Sequence, residues 1–144
     1  MHNYQIRPYE ADHALAILSQ GYTESFSDTD QARLMENSKF SVTLLIDDDP
    51  VVCSGIIKLW DGVGEGWFLS TDEVSKSSMV IARATKEVLL EEISAGNYWR
   101  LQINVRADWE QALRFAQFLG FKEEGLMHKF GPDQKDYLRM AIVK

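Results

Sequence analysis

The stretch Ala112-Leu113-Arg114-Phe115-Ala116-Gln117-Phe118-Leu119-Gly120-Phe121, with Glu123-Glu124-Gly125 just beyond it, reads as an amphipathic helix running into a strand. Trp109, Ala112, Leu113 and Ala116 recur at helical spacing and give the helix one apolar face. Gly120 follows the last periodic residue, where a glycine takes the positive φ that closes a helix at no Cβ cost. Phe121 then enters the core as the next strand starts. At the other end, Asp108 with Gln111 three residues on has the form of a capping box.

The same reading extends in both directions. Tyr4–Arg7 is a short strand stopped by Pro8, and Glu10–Gln20 a helix with Ala14, Leu15, Ile17 and Leu18 apolar, ended by Gly21. Asp28 or Asp30 caps a second short helix through Glu36. Phe40–Ile46 is rich in β-branched and aromatic residues and reads as a strand. A turn at Asp47-Asp48-Asp49-Pro50 leads to a strand over Val51–Trp60. A glycine-dense turn at Asp61-Gly62-Val63-Gly64 leads to a strand over Glu65–Ser70. Ser75–Ala95 is the longest helix, with Ile81, Ala84, Thr85, Val88 and Leu89 on its apolar face. Trp99–Val105 is a strand, and after the quoted helix Phe121–Phe130 and Tyr137–Val143 are the last two. The order β-α-α-β-β-β-α-β-α-β-β predicts an α/β domain with a mixed, mostly antiparallel sheet of about seven strands and helices on both faces. The β-α-β unit from Glu65 to Val105 supplies the parallel pair.

Composition bounds the function classes. With 144 residues, 45% apolar and 26% charged, residues 1–144 read as a single domain that buries roughly 70% of its unfolded surface. The net charge of −7 and the scattered Lys and Arg argue against nucleic acid and anionic membrane as partners. No basic and apolar leader is seen at the N-terminus, and no apolar run approaches the ~20 residues of a membrane span. The lone Cys53 makes no internal disulfide and reads as a small buried hydrophobe, which with the missing leader suggests a cytoplasmic compartment. No Cys/His cluster has metal spacing, so no metal is expected. The acidic Asp47-Asp48-Asp49 is a solvated hairpin tip, and Gly62-Val63-Gly64-Glu65-Gly66 suits a hairpin better than a phosphate cradle. His128 is a packing or surface residue in a strand. Of Trp60, Trp67, Trp99 and Trp109, most belong to the core, with one or two left for a cleft or for a homo-oligomer or assembly contact.

The helix ending Leu119-Gly120-Phe121 with Gly125 soon after resembles the ending that GNAT N-acetyltransferases write as A-I-x-F-Y-x-x-L-G-F, and the element order over nearly the whole chain resembles theirs. The resemblance implies an acyl-CoA-dependent N-acyltransferase, with acetyl-CoA or another acyl-CoA as co-substrate and a small-molecule or protein amine as acceptor. It places the cofactor between the splayed strands Glu65–Ser70 and Trp99–Val105. Backbone groups at Phe68, Leu69 and Ser70 hold its pantetheine arm, Ser75, Lys76, Ser77 and Ser78 its pyrophosphate, and Glu65 serves as general base.

The sequence departs from the family where the chemistry lies. Ser70–Ser78 contains no glycine where the family has a [QR]-x-x-G-x-[GA] loop, and Asp72 and Glu73 oppose a phosphate there. The same serines also read as plain helix caps, and Glu65 as a turn acid between Gly64 and Gly66. Ala116 stands where the family's acidic Tyr belongs, and Trp109 where an Asn recurs. These departures, and the aromatic strand Gly66–Thr71, resemble degenerate GNAT-like proteins of tailed bacteriophages. An alternative reading is thus a non-catalytic structural or accessory phage component working through protein contacts, and a weaker one a CoA-binding regulatory module.

Overall fold

The computed structural model describes residues 3–18, 40–71, 78–131 and 134–144. It contains strands β1 (Tyr4–Pro8), β2 (Phe40–Ile46), β3 (Asp49–Trp60), β4 (Gly62–Ser70), β5 (Tyr98–Arg106), β6 (Lys122–Met127) and β7 (Tyr137–Val143), and helices α1 (Ala11–Leu18), α2 (Ser78–Ser94) and α3 (Glu110–Leu119). The strands form one seven-stranded sheet in the order β1-β2-β3-β4-β5-β7-β6. The β4–β5 pair is parallel, and β1–β2, β2–β3, β5–β7 and β6–β7 are antiparallel. The expected α/β class and mostly antiparallel sheet are therefore present. The helix expected between Asp28 and Glu36 lies outside the described residues.

The contacts divide the chain into two compact units. The first comprises Met1–Lys58 and Gly66–Ser78. Its core joins Tyr9, Ala11, Ala14 and Ile17 to Cys53, Trp67 and Leu69, with Leu15 and Ile57 packed against it. Ala11, Ala14 and Ile17 are three apart, which is why α1 can bury one stripe. Burying Ile17 completely contributes about 1.5–3 kcal/mol. Tyr9 meets Trp67 edge to face, with centroids 5.0 Å apart. A polar thread enters this core. The His13 Nδ1 lies 2.8 Å from Thr43 Oγ1, and Thr43 Oγ1 lies 3.5 Å from Cys53 Sγ. The β2–β3 turn is shorter than the sequence suggests. Asp47 and Asp48 alone form it, both with positive φ (51° and 71°), the backbone of a two-residue hairpin whose twist matches its strands. Pro50 therefore sits inside β3, next to the register shift between Leu44 and Leu45.

The second unit comprises Leu59–Glu65 and Met79–Lys144. Here the expected glycine turn is corrected. Gly62 and Gly64 lie in β4, in parallel register with Tyr98 and Leu101, and the turn before them is Asp61 alone. Gly62 is required by packing: its φ is +80°, and a Cβ built on it would sit 2.2 Å from ring carbons of Trp99. Glycine density signalled close approach of an aromatic ring, which outranks turn propensity. The expected Schellman-type ending of α3 is present. Gly120 has φ 108°, its N–H donates to Gln117 O, and the Phe121 N–H donates to Ala116 O. The expected capping box is absent. Trp109 is the N-cap, and its indole has no acceptor to offer a backbone N–H, while Asp108, the expected cap, accepts from Arg106 Nε at 2.6 Å and lies 3.4 Å from Lys135 Nζ. Those hydrogen bonds, Arg106 first, hold the Asp108 carboxyl below its ordinary range.

Three further expectations change. On α2, Ile81 and Ala82 are buried while Ala84 is exposed, so the apolar stripe is rotated from the one expected. Strand β6 ends at Met127, leaving His128 in the following turn, where its Nδ1 pairs with Asp136 Oδ2 at 3.1 Å. Among the tryptophans Trp67 is core, whereas Trp60 and Trp99 are exposed.

Burial pushes the Cys53 thiol up to about 11, against a partial lowering by its hydrogen bond with Thr43. A raised thiol pKa stabilises the fold fully below the ordinary thiol value, and the gain is lost as pH rises through the folded value. Between pH 9 and 11 the wild type should lose about 2–3 kcal/mol more than Cys53→Ala in urea titrations, since titrating Lys and Tyr cancel in the difference. Equal losses would show that the thiol is not held in the core. Gly62→Ala should cost about 2–4 kcal/mol from clash and positive φ together, and in a Trp99→Ala background only the φ cost of about 1–2 kcal/mol should remain.

Candidate active site

Strand β5 alternates Arg100, Gln102, Asn104 and Arg106 with Leu101, Ile103 and Val105, so its two faces differ completely in polarity. On the apolar face Leu101 pairs with Ile142 and Ile103 with Met140. Gly120, at the end of α3, lies against Ile142, since a Cβ there would come 3.7 Å from its Cδ1. The polar face carries a connected row drawn from four strands. Register places Glu65 of β4 opposite Gln102, and Arg139 of β7 opposite Asn104.

The row is held by directional bonds. Gln102 Nε2 donates to Glu65 Oε1 at 2.9 Å, and Gln102 Oε1 accepts from Arg100 Nε at 3.0 Å. Arg100 then grips Glu124 with both terminal nitrogens, Nη1 donating to Oε2 at 2.8 Å and Nη2 to Oε1. Those hydrogen bonds hold Glu124 below the usual carboxylate range and raise the Arg100 guanidinium. On the other side, Arg139 Nε donates to Asn104 Oδ1 at 2.7 Å, and Arg139 Nη2 lies 3.8 Å from Glu65 Oε1. Gln102 is buried, and its amide serves both neighbours at once. Glu65 and Arg139 keep 30% and 28% of their side-chain surface, so water reaches both. A carboxylate with solvent access and a fixed rotamer can take a proton from an amine.

Glu65 is mid-strand in β4, not at a turn. Phe68, Leu69 and Ser70 are consecutive in β4. Leu69 is completely buried in the first unit's core, so only its backbone can meet a ligand. Ser78 is the first residue of α2, and Ser75, Lys76 and Ser77 lie outside the described residues. Ala116 is buried at the end of α3 and has no hydroxyl to donate. Gln102, Arg139, Arg100, Asn104 and Glu124 were not singled out by sequence. The signal was present in the period-two run Arg100-x-Gln102-x-Asn104-x-Arg106 within an expected strand. The parallel β4–β5 pairing runs from Gly62↔Tyr98 to Glu65↔Gln102.

The sequence matches no family model and no curated protein. The fold matches many solved structures. Ard1 from Thermoplasma volcanium superposes with a TM-score of 0.80 at 15% identity, covering 97% of each chain. A GNAT-family acetyltransferase from Streptococcus pneumoniae gives 0.73 at 15% identity, covering 99% of this chain and 100% of that one. The microcin self-immunity acetyltransferase MccE, solved with acetyl-CoA and AMP, gives 0.74 at 10% identity, covering 98% and 92%. At these identities the likeness is one of fold, and the fold is that of the GNAT acetyltransferases.

Gln102 is the joint of the row, and its removal should be visible. Gln102→Leu leaves Glu65 Oε1 and Arg100 Nε without their amide partner and should cost about 1–2 kcal/mol in chemical denaturation. A neutral result would mean that water replaces the amide without loss.

Proposed function

We propose that this chain, as one domain over residues 1–144, is an acyl-CoA-dependent N-acyltransferase acting on an amine. The observation that carries the reading is Glu65, a water-accessible carboxylate fixed by Gln102 on β4 of a GNAT-fold sheet. An extended strand offers N–H and C=O groups at ladder spacing, which suits an amide-bearing pantetheine arm, so Phe68, Leu69 and Ser70 are assigned to hold it through their backbone. Ser75, Lys76, Ser77 and Ser78 are assigned to the pyrophosphate, by hydroxyl and ammonium donors before and at the start of α2.

The acyl-CoA supplies an activated thioester when bound. Glu65 takes a proton from the acceptor ammonium and passes it to solvent. In the net reaction a C–N bond replaces the thioester C–S bond, and the second amine proton goes to the departing CoA sulfur. Ala116 leaves no side-chain acid at its position, so water delivers that proton in this account.

Acetyl-CoA at a hundred times its dissociation constant should stabilise the fold by about 2.7 kcal/mol, read as a thermal shift. Glu65→Gln should keep that shift while lowering kcat for thiol release by about a hundredfold or more. No shift at millimolar acetyl-CoA, or full activity in Glu65→Gln, contradicts the proposal.

A further inference from the structure

The two arginines of the polar row differ in what they have left to offer. Arg100 spends its guanidinium on Gln102 and on both oxygens of Glu124. Arg139 uses Nε on Asn104, its Nη2 lies 3.8 Å from a Glu65 oxygen, beyond hydrogen-bonding reach, and the guanidinium also feels the Glu124 carboxylate, whose two oxygens Arg100 already holds. An arginine offers five N–H donors in a planar fork suited to a carboxylate. The Asn104 bond fixes the orientation of that fork, and the side chain remains partly exposed. Glu65 beside it is the row's acceptor for an ammonium. The row therefore presents one anionic and one cationic receptor 3.8 Å apart.

We propose that the acceptor is a free α-amino acid, its carboxylate on the terminal nitrogens of Arg139 and its amine on Glu65. One carbon separates the two charged groups of an α-amino acid, so the zwitterion lies antiparallel to the Glu65–Arg139 pair, each charge against its opposite. A peptide N-terminus offers the same amine but an amide in place of the carboxylate, and leaves Arg139 unmatched. Arg139 is a binding residue that selects the acceptor, and its role rests on the reading of Glu65 as base given above.

The test compares each common α-amino acid with its α-amide. In protein labelled with 15N-arginine, the Arg139 side-chain resonance is assigned by its disappearance in Arg139→Gln. At least one amino acid should move that resonance saturably, and its amide should bind about ten- to a hundredfold more weakly. Arg139→Gln should bring acid and amide to the same affinity. Where Arg139→Gln fails to fold, Arg139→Lys, which keeps the positive charge, supplies the assignment and the comparison within wild type proceeds. An amide that binds as well as its acid, or no amino acid that moves the resonance, overturns the inference. Acyl transfer to amides as fast as to acids sinks the carboxylate receptor and leaves the acyltransferase standing. Carboxylate binding through Arg139 with no acyl transfer does the reverse.

Discussion

Each side chain of β5 must leave the strand on one of two faces, and that period of two organises the second unit. The odd positions Leu101, Ile103 and Val105 go to the apolar face, where Leu101 and Ile103 pair with Ile142 and Met140. The even positions then have to be polar and mutually satisfied, because a half-buried guanidinium or amide without partners costs more than its bonds return. Register decides who the partners are. A shift of one residue between β5 and β7 would move Arg139 away from Asn104 and to the other face. The site is thus a by-product of strand alternation as much as of any single residue.

The first unit solves a different problem with the same economy of contacts. Its core is apolar around Cys53, Trp67 and Leu69, yet admits Thr43, which is fully buried and close to both His13 and Cys53. His13 is linked to its own helix start, where the Glu10 N–H donates to Nδ1 at 3.2 Å and Glu10 Oε2 lies 3.4 Å from Nε2. The thread joins α1 to β2 and β3 by polar atoms whose burial is compensated.

Much of the fold was legible because its signals are local. The Gly120 ending, the β-branched and aromatic content of β2 and the apolar content of α1 each state their own structure. What was not legible depended on partners distant in sequence. Gly62 and Gly64 looked like turn glycines, yet both lie in β4, and Trp99 supplies the reason for Gly62. Asp108 looked like a cap until Arg106 and Lys135 claimed its carboxylate. Of the candidate site, Glu65 was singled out through the family resemblance, whereas Gln102 and Arg139 lie 37 and 74 positions further along and meet it only through register. A polar alternation in a strand shows that a face exists, but not which acid and base it will join.

The central claim is that β4 of this GNAT-fold sheet serves acyl-CoA. It is met most directly by a crystal structure of the chain grown with CoA. The account predicts the pantetheine amides hydrogen-bonded to the backbone of Phe68, Leu69 and Ser70. CoA bound elsewhere with that backbone untouched would contradict it.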